Sequence, residues 1–482
     1  MSPISEGYLT AGEVVSATKG QLIGGDCGRK LGGVSTDTRT IGRDELFVAL
    51  EGSRFDGHEF LTQALEKGAG ALVGRRGSLN SVRQGCSTPP ALIEVDDTLF
   101  ALGELARHWR QGHPVPLLAI TGSNGKTTTK EMVASILSQT RAVLKTEGNL
   151  NNRIGLPLSL FRLRVQHQVA VLEMGMNEPG EIERLCEIAQ PQYGLITQVA
   201  PVHVEGLGSV AAIAQEKGAL FDALKEADTA IVNLDDPWVI RLSQRCRAHW
   251  VTFGQGEAAS VRFTQTDPFH PQGVRGILKI MGEDCPVQMR CYGGPCLQNA
   301  LAAAAAAVAM GASSNEVVKG LESFRAFPRR LNVISLREGI HIIDDTYNAN
   351  PVSMDAALEL LQHLAQGRSL AVLGDMRELG PRASSMHRAT GKRAADVGVD
   401  ILIAVGELSE DMIRGAEESE LPPQEMHACA SAQQALDLVL SRCAEGDWVL
   451  VKGSRAVALE RVVDGIRDSF REGDTLQSRN VG

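Results

Sequence analysis

TGSNGKTTTK, Thr121 to Lys130, follows the apolar run Val115 to Ile120 and opens a segment, Thr127 to Gln139, in which Met132, Val133, Ile136 and Leu137 recur at helical spacing. A buried strand, a glycine loop and a helix, in that order, make a phosphate-binding arrangement. Gly122 and Gly125 let the backbone curl so that its N–H groups face phosphate oxygens, and the helix N-terminus adds the positive end of its dipole. Ser123, Asn124 and Thr128 fill out the loop as further nucleotide-facing positions. Lys126 is expected on the β- and γ-phosphates, and Thr127 is expected to offer its hydroxyl to Mg²⁺. The spacing GxxGKT is two residues shorter than the usual GxxxxGK[ST], so the alternative is a glycine turn that happens to precede a lysine. Read alone, the loop fits a kinase, a GTPase or an ATPase.

Around this loop, from Pro116 to about Pro328, the apolar runs LLAIT, VAVLEM (Val169 to Met174), GLITQV (Gly194 to Val199) and TAIVNL (Thr229 to Leu234) alternate with helical stretches. That is the pattern of a parallel sheet covered on both faces. Between Ser260 and Tyr292 short alternating segments predict a small antiparallel insertion, and the alanine-rich run Asn299 to Met310 predicts a tightly packed helix. A second alternating series begins near Arg329: HIIDD (His341 to Asp345), SLAVLG (Ser369 to Gly374), DILIAVG (Asp400 to Gly406) and DWVLVKG (Asp447 to Gly453). Polar residues at strand C-termini of such sheets face a binding crevice, so two α/β domains are expected to face one another across a cleft. Before the loop, short strands (Gly33 to Asp37, Glu45 to Ala49, Gly70 to Val73) mix with helical stretches (Phe60 to Lys67, Leu99 to Trp109). The fold class is therefore α/β in three domains: a small α/β domain over 1–114, a central phosphate-loop domain with a parallel sheet over 115–328, and a Rossmann-like α/β domain over 329–482.

The chain has 482 residues, enough for two to four domains that each bury a core. Its formal net charge is −10, and its basic residues are scattered rather than striped, which argues against a nucleic-acid partner. The first residues, MSPISEGYLTAGEVV, show neither a basic n-region nor an apolar h-region, and the run Ala300 to Ala312 is too short to span a bilayer. A cytoplasmic location without membrane insertion is expected. Nine cysteines at irregular spacing, with no CxxC, fit reduced thiols better than a disulfide framework. Cys285, Cys291 and Cys296 cluster without a matching His or second Cys pair, so zinc is not expected there.

Three further residues sit where such a sheet does chemistry. Glu173 closes VAVLEM, the place where a parallel sheet presents Mg²⁺ ligands near a phosphate loop. His203 follows GLITQV; a lone histidine there is more often a structural hydrogen-bonder than a ligand. Lys217, in AQEKGALF, is by default a solvated helix lysine.

The order of these motifs resembles the Mur ligase family over nearly the whole length. VSTDTRTI and DELFVALEGSRFDGHEF carry the likeness in the first domain, TGSNGKTTTKEM, KTEGNLNNRIGLP, EMGMNEPGEI and VAPVHVEGLGS in the second, and IIDDTYNANPVSMDAAL, LGDMRELG and VLVKGSR in the third. DDTYNANP is the most discriminating. The resemblance implies an ATP-dependent ligase of peptidoglycan precursor synthesis that uses Mg²⁺, works as a monomer, and joins D-alanyl-D-alanine to UDP-N-acetylmuramoyl-tripeptide through an acyl phosphate. It implies that Lys126 and Thr127 serve the ATP phosphates and Mg²⁺, that Glu173 and His203 are metal ligands, and that Lys217 is carboxylated by CO₂. A carbamate forms only on a neutral amine, so burial must lower the pKa of that lysine, and the product is an anion able to bind Mg²⁺. Lys126, Lys217 and His203 are thus the catalytic candidates. Asn299, Arg330 and Asp345 match nucleotide-contacting positions. Ser35, Asp37 and Arg39 fall where the first domain of this family holds the UDP-sugar, while Asn348, Asn350, Lys452, Ser454 and Arg455 lie in motifs of the closing domain.

One departure is local. The family usually reads GxHNxxNALAA before the alanine helix, whereas this chain has Pro295 and Cys296 in place of the His–Asn pair. Rival readings are another ATP-dependent amide ligase, such as the third-residue-adding Mur ligase or folylpolyglutamate synthase, and a nucleotide-binding regulator with a decayed site. No DNPR-like motif of the diaminopimelate-adding members is present.

Overall fold

The computed structural model describes residues 8–52, 55–82, 90–200, 209–270 and 272–470. Three main sheets follow one another along the chain. The first has five strands in the order Gln21–Gly24, Ala91–Val95, Ala71–Arg75, Leu46–Val48, Val34–Ser35, with only the first pair antiparallel. The helix Thr98–Gly112 closes this part of the chain and packs onto the helices Gly155–Leu160 and Glu181–Ala189 of the next. Its N-terminus is fixed by Asp97, whose side chain accepts from the Phe100 N–H and so satisfies one orphan donor of the first turn.

The central sheet has nine strands. Val143–Lys145, Val169–Glu173, Leu117–Thr121, Tyr193–Ile196, Thr229–Asn233 and His249–Phe253 run parallel, in that spatial order from one edge. Beyond them Val261–Asp267, Arg275–Ile280 and Glu283–Gln288 extend the sheet as the antiparallel insertion that the alternation between Ser260 and Tyr292 implied. Along the strand Leu117–Thr121 the residues divide between two cores, Leu117 and Ala119 on one face, Leu118 and Ile120 on the other. A strand covered on both faces reads as an unbroken apolar run, which is why no alternation marked it.

Lys126–Leu137, the helix that the loop launches, is pressed against the sheet by two others, Gly293–Ala309 and Ser314–Ser323. Six consecutive alanines, Ala302 to Ala307, are fully or almost fully buried in the first of these. Small side chains allow the close approach. In the second, a Cβ on Gly320 would lie 2.3 Å from the Ile136 Cα, so only glycine fits.

The third sheet has six strands, Asn332–Ser335, His341–Asp345, Trp448–Lys452, Ser369–Gly374, Ile401–Val405 and Glu425–Cys429, all parallel except the first. Strand order reverses beside Trp448–Lys452, and a crevice opens at the carboxyl ends of its neighbours. Asp345, at the end of one neighbour, and Lys452 form a buried ion pair there.

Candidate active site

The C-terminal strand ends of the second and third sheets line one cleft with a cavity of about 810 Å³. On the central side lies the glycine loop. Gly122 has φ 146° and a Cβ there would sit 1.8 Å from Thr197 Oγ1; Gly125 has φ 84° and a Cβ would sit 2.2 Å from Asn299 Oδ1. Both a left-handed backbone and a missing side chain are needed at each position. Gly125 is the N-cap of Lys126–Leu137 and no side chain caps that helix. Its first N–H groups, with their dipole, point to an anion instead.

The loop is braced from below. Ser123 Oγ donates to the Ala200 carbonyl at 3.0 Å and accepts from the Ala200 N–H at 2.8 Å, while Thr197 Oγ1 donates to the Asn124 carbonyl at 2.6 Å. Lys126 Nζ donates to the Gly122 carbonyl at 2.7 Å, folding the side chain back over the loop. Burial pushes its pKa down and the Glu173 charge acts against that. Thr127 Oγ1 donates to Glu173 Oε2 at 2.9 Å, and Asn151 Nδ2 donates to Glu173 Oε1 at 2.9 Å. Glu173 is 3% exposed. A hydroxyl and a carboxylate oxygen are hard donors, suited to a cation whose remaining ligands are water and phosphate oxygens. Among the described residues no three His, Cys, Asp or Glu side chains gather into a metal cluster. His203, the other candidate ligand, lies outside the described residues.

Lys217 is not the solvated lysine that its helix position suggested. It is 2% exposed, its Nζ lies 3.8 Å from Met176 Sδ, and no carboxylate among the described residues pairs with it. Burial drives its pKa well below the ordinary lysine value, and the nearby Lys126 charge pushes the same way.

From the third domain come Arg330, Asp345, Asn348, Asn350 and Lys452. Arg330 Nη2 donates to Thr127 Oγ1 at 3.1 Å, with the guanidinium stacked 3.9 Å from the Tyr347 ring centroid. Asn350 Nδ2 donates to Asn124 Oδ1 at 2.8 Å. Lys452 Nζ reaches Asp345 and the Asn348 carbonyl, the latter at 3.0 Å. Asn299 and Thr128 line the cleft as expected, and Asn299 Oδ1 accepts from Thr129 Oγ1 at 3.2 Å.

Five expected site residues are placed elsewhere. Ser454 is buried as a brace, its Oγ accepting from the Arg377 N–H at 3.0 Å. Ser35, Asp37 and Arg39 lie together in the first domain, outside the cleft. There Arg39 grips Asp37 through Nε and Nη2, and this pairing holds the Asp37 carboxyl at about 2. Arg455 does not line the cleft either but stands 5.8 Å from the Tyr347 ring centroid. Tyr347, Asn151 and Thr197 are site residues that pattern reading passed over; the first two lie inside the motifs DDTYNANP and KTEGNLNNRIGLP. The expectation of reduced thiols throughout is corrected at one place. Cys291 and Cys296 are bonded to one another, because the chain turns sharply from the insertion into the alanine helix and brings their Cα atoms to 6.2 Å.

Comparison with known proteins agrees with this geometry. Residues 30–110 match the model described as Mur ligase family, catalytic domain; residues 120–307 match Mur ligase middle domain; residues 329–455 match Mur ligase, glutamate ligase domain. The chain is 36% identical over 463 residues to the UDP-N-acetylmuramoyl-tripeptide--D-alanyl-D-alanine ligase of Escherichia coli, covering 96% of this chain and 99% of that one. The protein of the same name from Bacillus subtilis is 35% identical, covering 91% and 93%. Among solved structures, MurF from Acinetobacter baumannii superposes with a TM-score of 0.86 at 31% identity, over 96% of this chain and 99% of that one. The MurF ligase of Thermotoga maritima in complex with ADP gives 0.78 at 28% identity, over 91% and 97%.

Proposed function

The chain belongs to the Mur ligase family, and on that premise we propose that it joins D-alanyl-D-alanine to UDP-N-acetylmuramoyl-tripeptide with ATP, in peptidoglycan precursor synthesis. The observation that carries the reading is the single cleft in which a glycine phosphate loop on one sheet is touched by Arg330 and Asn350 from another.

An acid and an amine do not condense in water unless the carboxylate is activated. The terminal carboxylate of the tripeptide attacks the γ-phosphorus of ATP, giving an acyl phosphate and ADP. Two anions must approach, and here the chain supplies positive charge: Lys126, Arg330 and the uncapped N–H groups at Gly125 face that encounter. The neutral amine of D-alanyl-D-alanine then attacks the acyl carbon, the nitrogen gives up a proton, and the tetrahedral intermediate expels phosphate. Residues 115–328 bind ATP, residues 1–114 hold the UDP-sugar through Ser35, Asp37 and Arg39, and residues 329–482 close on both through Asn348, Asn350, Asp345 and Lys452. Closure excludes water, which would otherwise hydrolyse the acyl phosphate.

Thr127 and Glu173 fit Mg²⁺, with His203 as a third ligand; the ion when bound neutralises phosphate charge. Lys217 fits a carbamate. Its amine is buried without a carboxylate partner, which favours the neutral form that CO₂ requires. No helix of the described residues is long and apolar enough to cross a membrane. We place the reaction in the cytoplasm, where ATP and a UDP-linked precursor meet, with the enzyme acting as a monomer. ADP formation that depends on both the tripeptide and the dipeptide amine tests the proposal.

A further inference from the structure

The departure at Pro295 and Cys296 lies at the junction of two domains. Cys291 ends the antiparallel insertion, its carbonyl accepting from the Val274 N–H at 2.8 Å, and Cys296 sits in the first turn of Gly293–Ala309. Both are buried, at 6% and 5% exposure, and both line the cleft. Between them Tyr292 packs against the core of the third domain. It is followed by Gly293, at φ 78°, and Gly294. A second contact runs alongside. The Gly293 N–H donates to the Pro268 carbonyl at 2.9 Å, and the neighbouring Phe269 stacks on His363 of the third domain at 3.8 Å. The Cys291–Cys296 bond therefore closes a small ring on one segment through which the central domain touches the third.

We propose that Cys291 and Cys296 form a thiol–disulfide pair that couples the redox state of the surroundings to docking of the third domain, and so to nucleotide affinity. In the reduced protein the thiolate of one cysteine attacks a sulfur of a small disulfide, such as oxidised glutathione, and releases one thiol. The second cysteine then attacks the protein sulfur of the mixed disulfide and releases the other. Two electrons pass from the cysteine pair to the small disulfide, and the two protons leave on the two released thiols. Intracellular disulfides are commonly redox-sensing rather than structural. With the ring closed, Tyr292 is held against the third domain. With it open, Gly293 and Gly294 regain their freedom and docking must order them again. The oxidised form is the tighter nucleotide binder.

The coupling to nucleotide rests on the ATP-dependent reading above; the bond itself does not. The test equilibrates the full chain with oxidised glutathione or with dithiothreitol, measures the ADP dissociation constant of each form by calorimetry, then unfolds a sample of each in denaturant, alkylates it with iodoacetamide and maps the modified cysteines by peptide mass spectrometry. Cys291 and Cys296 are expected to be protected together only after oxidation, with ADP bound about fivefold more tightly than in the reduced form. Cys296→Ser and Cys291→Ser should each give one affinity in both conditions. Alkylation of both cysteines after oxidised glutathione overturns the pair. A protected pair with unchanged ADP affinity overturns the coupling, and ADP binding to neither form overturns the coupling together with the ATP reading.

Discussion

Arg330 donates through Nη2 to Thr127 Oγ1 at 3.1 Å, and that hydroxyl donates in turn to Glu173 Oε2 at 2.9 Å. A residue of one domain thereby touches a hydroxyl on the phosphate loop of the other, the one proposed above to face Mg²⁺. On either side of it, Arg329 and Leu331 hold φ of 67° and 47°, a backbone region unfavourable for side chains of that size. The connection between the domains is built to place this guanidinium.

Arg330→Ala should lower kcat/KM for ATP about 10²-fold, the usual loss when one donor to developing charge is removed. UDP-substrate binding should be unchanged. Arg330→Lys should restore little, since a lysine cannot both stack on Tyr347 and donate sideways to Thr127. Steady-state kinetics with each substrate varied checks both points.

Lys126→Ala should abolish ADP formation while leaving UDP-substrate binding, read by calorimetry, largely intact. Lys126 Nζ and the Gly122 carbonyl meet inside the loop, in a different domain from Ser35, Asp37 and Arg39. Normal turnover in this variant would remove the loop from the mechanism.

On the proposed carbamate, Lys217→Ala should be inactive and partly rescued by short-chain carboxylates standing in for that anion. Lys217→Met gives an independent, pH-dependent signature. The folded-state pKa of Lys217 lies well below the ordinary value of about 10.4, so between the two values the unfolded chain binds the proton that the folded chain has lost. Wild-type stability therefore rises with pH across that window. In CO₂-free buffer the methionine variant should melt higher than wild type at neutral pH, with the difference shrinking as pH climbs toward 10.4. A gap that widens with pH would contradict the burial of a neutral amine.

Gly320→Ala tests the packing that holds the loop helix in place. The added Cβ would meet the Ile136 Cα, backbone that cannot swing aside, so a loss of about 1–3 kcal/mol is expected. Gly256→Ala, where the space is open, is the control. Thermal unfolding of the two variants against wild type measures the contrast.

Pattern reading reached the parts of this molecule in which a local rule decides the structure. The strands His341–Asp345 and Ser369–Gly374 fall on the runs read for them, because the middles of both, Ile342 and Ile343 in one and Leu370 to Leu373 in the other, are apolar and fully buried. The loop glycines were legible because their conformation excludes other residues. Contacts between domains were not legible as geometry: nothing local in Arg330 or Asn350 says that Thr127 or Asn124 will lie beside them. The family resemblance pointed to both residues, yet it also carried Ser454, which proves to be a brace for Arg377, and Arg455, which stands outside the cleft. Burial of Lys217 was invisible in its helix periodicity for a related reason, since the face that it occupies is covered by a neighbour distant in sequence. The Cys291–Cys296 bond escaped because spacing cannot show a turn that folds back on itself.

The most direct measurement is ADP release by the purified full chain, with ATP and Mg²⁺ present, as UDP-N-acetylmuramoyl-tripeptide and D-alanyl-D-alanine are supplied singly and together. Turnover only when both are present, with one new amide per ADP in the product mass, is the expected result. ADP release indifferent to the dipeptide, or an equal rate when glutamate and a folate replace the pair, would contradict it.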